Sequence, residues 1–289
     1  MASLKDTVVI VTGAGSGIGY ETALAFARAG ARLVLSDRCE EPLRALAQRI
    51  ESLGAQATVA PADVSRRDDV ERMVAAAVER YGRVDILVNN AGYALGATVE
   101  QTTERDFREL WETNVLGVLY GIQAVLPVMR QQGSGHVINV ASAAGRIAFP
   151  GIGAYSATKA SVIALTEALR MEEAEHGIRA SVVLPVGTAT RFFDNARLVQ
   201  GTPVGPHGPM QTPQHVAACI VACAKRPRPE VLPYRRLRLG VLLHTLFPSL
   251  LAVIARRQYK SLLKRLARER DLRALEPRAS GDQGPAAGD

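Results

Sequence analysis

The chain has little of what builds a disulfide scaffold or a metal centre. Its 289 residues include three cysteines and five histidines. So few cysteines, odd in number and without close-set pairs, argue against a disulfide framework and fit a reducing compartment. Cys219 and Cys223 lie one helical turn apart, but no further ligands flank them, so both are interpreted as small buried hydrophobes. No metal site is therefore predicted.

Aromatic residues are also scarce, and charge is almost balanced over most of the chain. Aromatics make up 5% of the residues and hydrophobic residues 47%, so small aliphatic side chains must fill the core. Residues 1–224 hold 20 Lys and Arg against 22 Asp and Glu, whereas residues 225–289 hold 15 against 6. The net charge of +7 therefore belongs to the C-terminal part, where any electrostatic partner is expected to bind. The N-terminus shows no cationic start before an apolar core, so no secretory signal is expected and a cytoplasmic location is predicted.

The order of apolar and glycine-rich segments is typical of βαβ units. Short β-branched runs alternate with helical patterns up to residue 232. This alternation predicts an α/β fold, a Rossmann-like doubly wound parallel sheet of about seven strands. Residues 103–130 are predicted as one long helix that Pro127 kinks or ends. Residues 191–210 are predicted as a mobile, partly helical flap.

Glycines cluster directly after the first predicted strand, in Thr12-Gly13-Ala14-Gly15-Ser16-Gly17-Ile18-Gly19. Glycines let the backbone turn tightly and approach a pyrophosphate, and the N-terminus of the following helix attracts its charge. The spacing departs from G-x-G-x-x-G, because Ile18 stands where the last glycine would be. The alternative is a glycine-rich turn without a ligand. The residues predicted to contact a dinucleotide here are Gly13, Ser16, Gly17, Ile18 and Gly19.

The second predicted strand ends at Asp37, whose carboxylate can accept hydrogen bonds from the ribose hydroxyls of an adenosine. It would also repel the 2′-phosphate of NADP, since two unit charges about 4 Å apart at an effective dielectric constant of about 20 interact by roughly 4 kcal/mol. Ser16 offers no compensating positive charge, so NAD is predicted over NADP. Arg38 complicates this prediction, because its guanidinium could cover the adenine or bind a phosphate. The alternative role for Asp37 is an N-cap of the next helix.

Two further loops follow strands at the same edge of the predicted sheet. After the third strand, Asp63 and Val64 could hold an adenine ring through a carboxylate and a backbone amide. A helix-capping aspartate is an equally good interpretation. After the fourth strand, Asn89-Asn90-Ala91-Gly92 offers small residues that let the backbone approach a cofactor and amides that brace the loop. Asn89, Ala91 and Gly92 are predicted to contact it.

Tyr155 and Lys159 stand four residues apart in a predicted helix over 154–175, so they share one face of it. A phenol with its ordinary pKa near 10 is a poor acid at neutral pH. A fixed ammonium beside it favours the phenolate and lowers that pKa. The pair therefore predicts a tuned general acid or base. Alone, such a pair is weak evidence for a catalytic site, because it arises by chance on many surface helices. Ser142 and the motifs described above strengthen that evidence.

Together these motifs resemble the short-chain dehydrogenase/reductase family, of the single-domain type, over about residues 5–232. Five features occur in the family's order and spacing: Thr12–Gly19, Asn89–Gly92, Asn114, Ser142 and Tyr155-x-x-x-Lys159. The resemblance implies a dinucleotide-binding catalytic domain over 1–232. A basic, apolar extension over 233–278 and a disordered tail over 279–289 are expected to follow.

The resemblance also implies a role for each of four residues. Tyr155 is expected to act as general acid and base on the substrate oxygen. Lys159 is expected to lower the pKa of Tyr155 and to hold the nicotinamide ribose. Ser142 would hydrogen-bond the substrate oxygen, and Asn114 would hold a water that links Lys159 to solvent.

One segment departs from the family pattern. The family has Pro-Gly and then a threonine after the sixth strand, whereas this chain has Pro185-Val186-Gly187-Thr188-Ala189-Thr190. Pro185 is expected to keep its role beside the cofactor. Of the two threonines, Thr188 is favoured over Thr190 as the contact to the nicotinamide amide.

The extension is the part least like the family. Leu239–Ala255 is a 17-residue apolar run with arginines on both sides. A helix of that length spans about 25 Å, short of a ~30 Å hydrocarbon core, and His244 and Pro248 weaken a spanning helix further. Two alternatives stay open: a segment lying at an anionic membrane surface, or one that packs on the body or joins subunits.

These observations predict an oxidoreductase that interconverts a secondary alcohol and a ketone with NAD. A lipophilic substrate is suggested by Phe192 and Phe193 and by the apolar residues after Ser142, namely Ala143, Ala144, Ile147, Ala148 and Phe149. The resemblance implies a homodimer or homotetramer, and no nucleic-acid partner is expected. The alternatives are an NADP-dependent carbonyl reductase and a non-catalytic dinucleotide-binding protein that uses the extension at a membrane.

Overall fold

The computed structural model describes residues 3–189, 197–199, 210–249, 252–257, 259–261 and 263. Most of the predicted flap, with Thr190, Phe192, Phe193 and His207, and all of the predicted disordered tail lie outside these residues. The strands, in chain order, are β1 (Val8–Thr12), β2 (Arg32–Ser36), β3 (Ala57–Val59), β4 (Ile86–Asn89), β5 (Leu95–Gly96), β6 (Gly135–Val140), β7 (Ile178–Val183), β8 (Arg197–Leu198) and β9 (Glu230–Val231). The α-helices are α1 (Gly17–Arg28), α2 (Glu40–Ser52), α3 (Arg67–Tyr81), α4 (Glu104–Trp111), α5 (Gly117–Gln132), α6 (Gly153–Glu172), α7 (Pro213–Lys225) and α8 (Leu237–Leu246).

Seven of these strands form one sheet in the order β3-β2-β1-β4-β6-β7-β9, and every neighbouring pair is parallel. The predicted doubly wound sheet of about seven strands is therefore confirmed. From β1 the chain moves outward to β2 and β3, and then returns to place β4 on the other side of β1. Such a reversal leaves a crevice at the carboxyl ends of the strands, which is where ligands bind in open α/β sheets.

The strands are apolar because both faces of the sheet are covered. In β1, Val9 and Val11 face the cluster formed with α1, α2 and α7. Ile10 faces the opposite cluster, formed with α3, α5 and α6. Small aliphatic residues fill both layers, as the low aromatic content predicts.

The predicted helix over 103–130 is interrupted, but not at its proline. A π-helical turn over Glu112–Leu116 separates α4 from α5. Pro127 lies inside α5, which continues to Gln132 and ends where Gly133 takes a left-handed conformation with φ 64°. Pro127 is exposed, so water can reach the carbonyl group whose helical hydrogen bond the proline removes. The interruption lies instead at the π-helical turn, which holds one residue more than a regular α-helical turn and contains Asn114.

The apolar run of the extension is not one helix. Helix α8 ends at Leu246, and Phe247 has a non-helical backbone before Pro248. Residues 252–257 are helical again. No helix of the described ranges is long and apolar enough to cross a membrane.

Candidate active site

A cleft of about 780 Å³ opens at the carboxyl ends of β1, β4 and β6. Its walls include the loops that follow β1, β2, β3, β4, β6 and β7, together with the first turns of α1 and α6. Most of the predicted site residues line it: Gly13, Ser16, Gly17, Ile18, Asp37, Arg38, Asp63, Val64, Ala91, Gly92, Ser142, Tyr155, Lys159, Pro185 and Thr188. The tertiary structure thus brings six loops, and the first turns of α1 and α6, to one cavity.

The glycine loop takes a shape that side chains would prevent. Gly13 and Gly17 have positive φ values of 65° and 57°. A Cβ atom on Gly19 would lie 2.0 Å from the carbonyl oxygen of Gly13, so Gly19 packs inside the loop and does not line the cleft. Ser16 precedes α1 without a side-chain cap. The first amide groups of α1 therefore remain available to an anion, since the first four N–H groups of a helix have no intrahelical partner.

Asn90, which the sequence did not single out as a cofactor residue, braces this loop. Its Nδ2 donates hydrogen bonds to the carbonyl oxygens of Thr12 and Gly13, at 3.0 Å and 3.3 Å. In return, Thr12 Oγ1 accepts the amide groups of Asn90 and Ala91 at 3.0 Å and 3.1 Å. The loops after β1 and β4 are thereby joined. Only the pairing of β1 with β4 in the sheet reveals that connection.

Asn89 has a different place from the one predicted for it. Its Nδ2 donates to Asn139 Oδ1 at 2.9 Å and to the carbonyl oxygen of Val118 at 3.4 Å. Asn139 in turn donates to Thr166 Oγ1 at 2.9 Å. Asn89 therefore connects β4, β6, α5 and α6 behind the cleft, and its side chain does not line the cavity.

Asp37 lies at the end of β2, half-buried at the edge of the cleft. One carboxylate oxygen accepts the amide of Gly15 at 3.1 Å, and the other accepts the amide of Cys39 at 3.4 Å. The N-cap alternative for Asp37 is wrong, because Cys39 is the N-cap residue of α2 and Asp37 bonds no amide inside that helix. The contact to Gly15 ties the carboxylate to the glycine loop. Arg38 is exposed and also lines the cleft.

Asp63 does not cap α3. Its Oδ1 accepts the amide and hydroxyl groups of Ser65 at 3.0 Å and 2.7 Å, while α3 begins two residues further on, after Arg66. The amide of Asp63 donates to Asp69 Oδ2 at 3.0 Å, and this contact is the main cause of the lowered pKa of the Asp69 carboxyl. The loop that carries Asp63 and Val64 is therefore held in place from α3.

Tyr155 and Lys159 project from α6 into the buried end of the cleft and are 8% and 5% exposed. Lys159 Nζ donates to the carbonyl oxygen of Val140 at 3.0 Å and lies 5.8 Å from the centre of the Tyr155 ring. Ser142, two residues beyond Val140, hydrogen-bonds the phenol of Tyr155. The end of β6 therefore supplies a partner to both residues of the pair.

Asn114 lies in the π-helical turn and is fully buried. Its side chain bonds the backbone of Tyr93 and donates to Thr158 Oγ1 at 3.2 Å. Gly92 stands between Asn114 and Lys159: a Cβ atom there would lie 2.8 Å from Asn114 Oδ1 and 3.6 Å from Lys159 Nζ. Asn114 therefore sits behind the cleft lining, close to the ammonium group.

The expected lowering of the pKa of Tyr155 by Lys159 is wrong for the protein alone. Burial raises the pKa of the phenol to about 12, and the hydrogen bond from Ser142 offsets only part of that rise. Burial also lowers the pKa of the Lys159 ammonium to about 8. Both groups are thus destabilised in their charged forms, because both are removed from water.

Pro185 and Thr188 lie on the opposite wall. The carbonyl oxygen of Pro185 accepts the amide of Ala143 at 2.9 Å, which fixes the segment after β7 to the loop that carries Ser142. Thr188 Oγ1 donates to the carbonyl oxygen of Val186 at 3.0 Å. The buried side chain of Gln211, absent from the sequence prediction, accepts the amide of Val186 at 3.2 Å.

The outer end of the cleft carries charged residues that the sequence did not indicate. The strand pair β5–β8 brings Arg197 to this end, where it bonds Asp106 at 3.0 Å and Glu109 at 2.6 Å. Tyr93 lies beside them, and burial raises the pKa of its phenol. A two-residue parallel pairing across more than 100 positions leaves no signal in the local sequence pattern.

The apolar residues after Ser142 differ in their burial. Ala143 and Ile147 pack against the large hydrophobic cluster on the α5–α6 face of the sheet. Ala144 belongs to a smaller cluster with Leu95 and Tyr155. These three side chains pack in hydrophobic clusters, whereas Ala148 is exposed and Phe149 is half-buried. The lipophilic substrate therefore stays a prediction. Among the described residues, no group of three or more His, Cys, Asp and Glu could hold a metal ion.

A glycine-loop cleft with a buried Ser–Tyr–Lys cluster defines an oxidoreductase of the dinucleotide-binding α/β type, and comparison with known proteins agrees. Residues 7–200 match the family model described as short chain dehydrogenase. An uncharacterized oxidoreductase of Staphylococcus saprophyticus is 41% identical over 199 residues, covering 68% of this chain and 79% of that protein. The chain therefore belongs to the short-chain dehydrogenase/reductase family.

Solved structures show the same relationship. A short chain dehydrogenase/reductase from Burkholderia phymatum, in complex with NAD, is 28% identical with a TM-score of 0.79, covering 86% of this chain and 96% of that chain. Levodione reductase is 31% identical with a TM-score of 0.72, covering 79% and 96%. The protein is thus an enzyme of this family, acting on CH–OH donors with NAD or NADP as acceptor.

Proposed function

We propose that the protein interconverts a secondary alcohol and a ketone by hydride transfer and prefers NAD. The observation that carries this proposal is the cluster of Ser142, Tyr155 and Lys159, which opens into the same cavity as the glycine loop. When bound, a nicotinamide dinucleotide would supply the redox chemistry as hydride acceptor or donor. The proton of the substrate oxygen must then leave in oxidation and return in reduction.

The residues of this chain handle that proton. Tyr155 accepts it from the substrate hydroxyl in oxidation and returns it to the carbonyl oxygen in reduction. Ser142 bonds the phenol and can offer its hydroxyl to the same oxygen, which gives the developing charge two partners. Lys159, fixed on Val140, provides the positive charge; oxidised nicotinamide bound nearby would add a second, and both favour the phenolate. The high pKa of Tyr155 in the protein alone makes this added charge necessary.

The cavity fits a dinucleotide at its other end. A Cβ atom at Gly13 would lie 2.9 Å from the Cα atom of Ala91, so only glycine leaves room for backbone there. The uncapped N-terminus of α1 would hold the pyrophosphate. Asp37, Asp63 and Thr188 line the cleft. They are the proposed contacts to the adenosine ribose, the adenine and the nicotinamide amide, in that order.

The preference for NAD rests on Asp37. Its carboxylate already accepts two backbone amides, so it stays where a 2′-phosphate would meet it. The second candidate, an NADP-dependent carbonyl reductase, would use Arg38, which is exposed at the same rim. We also propose a homodimer or homotetramer in the cytoplasm, joined through α4, α5 and α6. The exposed Phe107, stacked 5.8 Å from Trp111 on α4, supports that interface.

The test is a panel of secondary alcohols and ketones, both polar and lipophilic, followed at 340 nm with NAD and NADP in parallel. We expect turnover with NAD, and a loss of about 100- to 10,000-fold in Tyr155→Phe with cofactor binding retained. Asp37→Asn should lower the NAD-to-NADP ratio of kcat/KM by at least about tenfold, whereas Arg38→Gln should raise it. Turnover confined to NADP would overturn the preference. Turnover that survives Tyr155→Phe would overturn the catalytic assignment of Tyr155. Cofactor binding without turnover of any substrate in the panel would instead favour the non-catalytic dinucleotide-binding protein.

A further inference from the structure

Helix α8 exposes a row of large apolar side chains. Of the 14 large hydrophobic residues that are exposed in the described ranges, eight lie after residue 237. Five of them recur at helical spacing on one side of α8 and just beyond it, and we call them the α8 outer face: Leu239, Leu242, Leu243, Leu246 and Phe247. Side chains of this size at 38% to 60% exposure form a continuous apolar strip on the surface, and such strips mark interaction sites.

The opposite side of α8 accounts for the folding of the helix. Leu237 is buried and Val241 packs against the same core cluster as Ile147. A Cβ atom on Gly240 would touch Ile147 at 3.9 Å. Since this inner side already anchors α8, the outer face is not needed to hold the helix on the body. Because Ile147 belongs to the loop that follows Ser142, α8 packs against that loop.

Exposed cations flank the α8 outer face along the chain. Three precede the strip and three follow it, and we call them the basic flank: Arg235, Arg236, Arg238, Arg256, Arg257 and Lys260. Residues 225–289 carry a net charge of +9, whereas residues 1–224 carry −2. Apolar and basic side chains are therefore concentrated on one short part of a nearly neutral protein.

We propose that the α8 outer face and the basic flank dock on the surface of a membrane that contains acidic phospholipids. An apolar strip bordered by arginine and lysine matches the boundary between acyl chains and anionic headgroups. At 10 residues, α8 is about 15 Å long, so it lies in the interface and does not span it. This inference is independent of the hydride-transfer proposal.

A second copy of the chain is the competing occupant of this surface. A two-fold interface is isologous, so it would place the same patch of each protomer against the other. The cations that flank the strip would then be brought close to those of the second copy, and like charges at close range repel. An anionic bilayer instead neutralises them, which favours the membrane.

The test uses the full chain in sedimentation with vesicles of phosphatidylcholine, with or without phosphatidylserine. We expect binding that requires phosphatidylserine and weakens as salt increases. Each basic residue near an anionic surface contributes about a fivefold gain in partitioning. The triple variant Arg256→Gln, Arg257→Gln and Lys260→Gln should therefore lose about 100-fold, while Arg28→Gln, Arg44→Gln and Arg80→Gln, which remove exposed arginines elsewhere, should change little.

The apolar strip is tested separately by Leu242→Ser with Leu246→Ser. Both side chains are exposed, so the fold should persist, and vesicle binding should fall by about tenfold or more. Met171→Ser, at another exposed apolar residue, is the matched control. No binding to phosphatidylserine vesicles by folded wild-type protein would overturn the proposal. The proposal would also be overturned if light scattering showed an oligomer for the wild type and a smaller assembly for the leucine variant. The strip would then join subunits.

Discussion

The side-chain amide of Asn114 pairs with the backbone of Tyr93 in both directions. Its Nδ2 donates to the carbonyl oxygen of Tyr93 at 3.0 Å, and its Oδ1 accepts the Tyr93 amide at 3.1 Å. The same Nδ2 donates to Thr158 Oγ1, which donates to the carbonyl oxygen of Tyr155 at 2.8 Å. One buried amide thus joins the π-helical turn, the loop after β4 and the helix that carries Tyr155.

Asn114→Asp should break these hydrogen bonds while keeping the shape of the side chain. A carboxylate cannot donate to Tyr93 or Thr158, and leaving a buried acceptor unpaired costs about 1 to 3 kcal/mol. We expect the free energy of unfolding in urea to fall by about that amount and kcat to fall with it. Gln48→Glu adds the same charge at an exposed position and is the control. Wild-type stability in Asn114→Asp would show that the amide is not needed.

Gly92→Ala should disturb the proton-handling end of the cleft. The added methyl group would lie 2.8 Å from Asn114 Oδ1 and 3.6 Å from Lys159 Nζ, so Asn114 must shift. A displacement of about 1 Å can cost about 100-fold in rate, and we expect kcat to fall at least about tenfold. Gly240→Ala, whose nearest neighbour is 3.9 Å away, should keep full activity and gain up to about 1 kcal/mol of stability from helix propensity. Equal rates for both variants would refute the steric argument.

Arg146 is predicted to position Ser142. Arg146 lies four residues after Ser142. Its guanidinium bonds Glu167 of α6 at 2.7 Å and Glu230 of β9 at 2.9 Å. Arg146→Met should lower kcat about tenfold and leave the dissociation constant of the cofactor unchanged. Because all three side chains are about one third exposed, the stability loss should be only about 1 kcal/mol.

Two comparisons separate positioning from a general loss of stability. Arg146→Lys, which keeps the charge, should restore part of kcat. Arg32→Met removes an ion pair to Asp6 far from the cleft and should leave kcat unchanged. If Arg146→Met changes the cofactor dissociation constant as much as kcat, the positioning role is wrong.

His136 should make the fold sensitive to acid. Its Nε2 lies 2.8 Å from Ser181 Oγ, and burial, with a smaller contribution from Arg179, lowers the pKa of the imidazole from 6.5 to about 4. Between these pH values the unfolded chain binds a proton that the folded chain does not. Stability from this group is therefore complete above pH 6.5 and falls as the pH drops towards 4, by up to about 3 kcal/mol. Urea unfolding at pH 7 and pH 4.5 should show a smaller loss in His136→Gln; an equal loss would assign the acid sensitivity to other groups.

Much of the fold could be predicted because strand patterns and glycine loops are local. The apolar runs over β1, β2 and β6 are buried on both faces, and such runs predict parallel strands. The π-helical turn at Asn114 could not be predicted, since its residues continue the helical pattern of α4 and α5 without a break. The pairing of β5 with β8 depends on two residues in each strand and on a distant chain segment.

The sequence by itself determined which chemical groups are present: the glycines, Asp37, Ser142, Tyr155 and Lys159, in an order that identifies the family. Only the tertiary structure decided which of them share the cleft, because the carboxyl ends of β1, β4 and β6 meet only once the parallel strands pair. It also decided that Asn89 lies behind the cleft and that Asn90 braces the glycine loop. Burial raises the pKa of Tyr155 by more than the hydrogen bond to Ser142 lowers it. The direction in which a side chain points and the extent of its burial depend on every element packed around it. A local sequence pattern therefore cannot predict them.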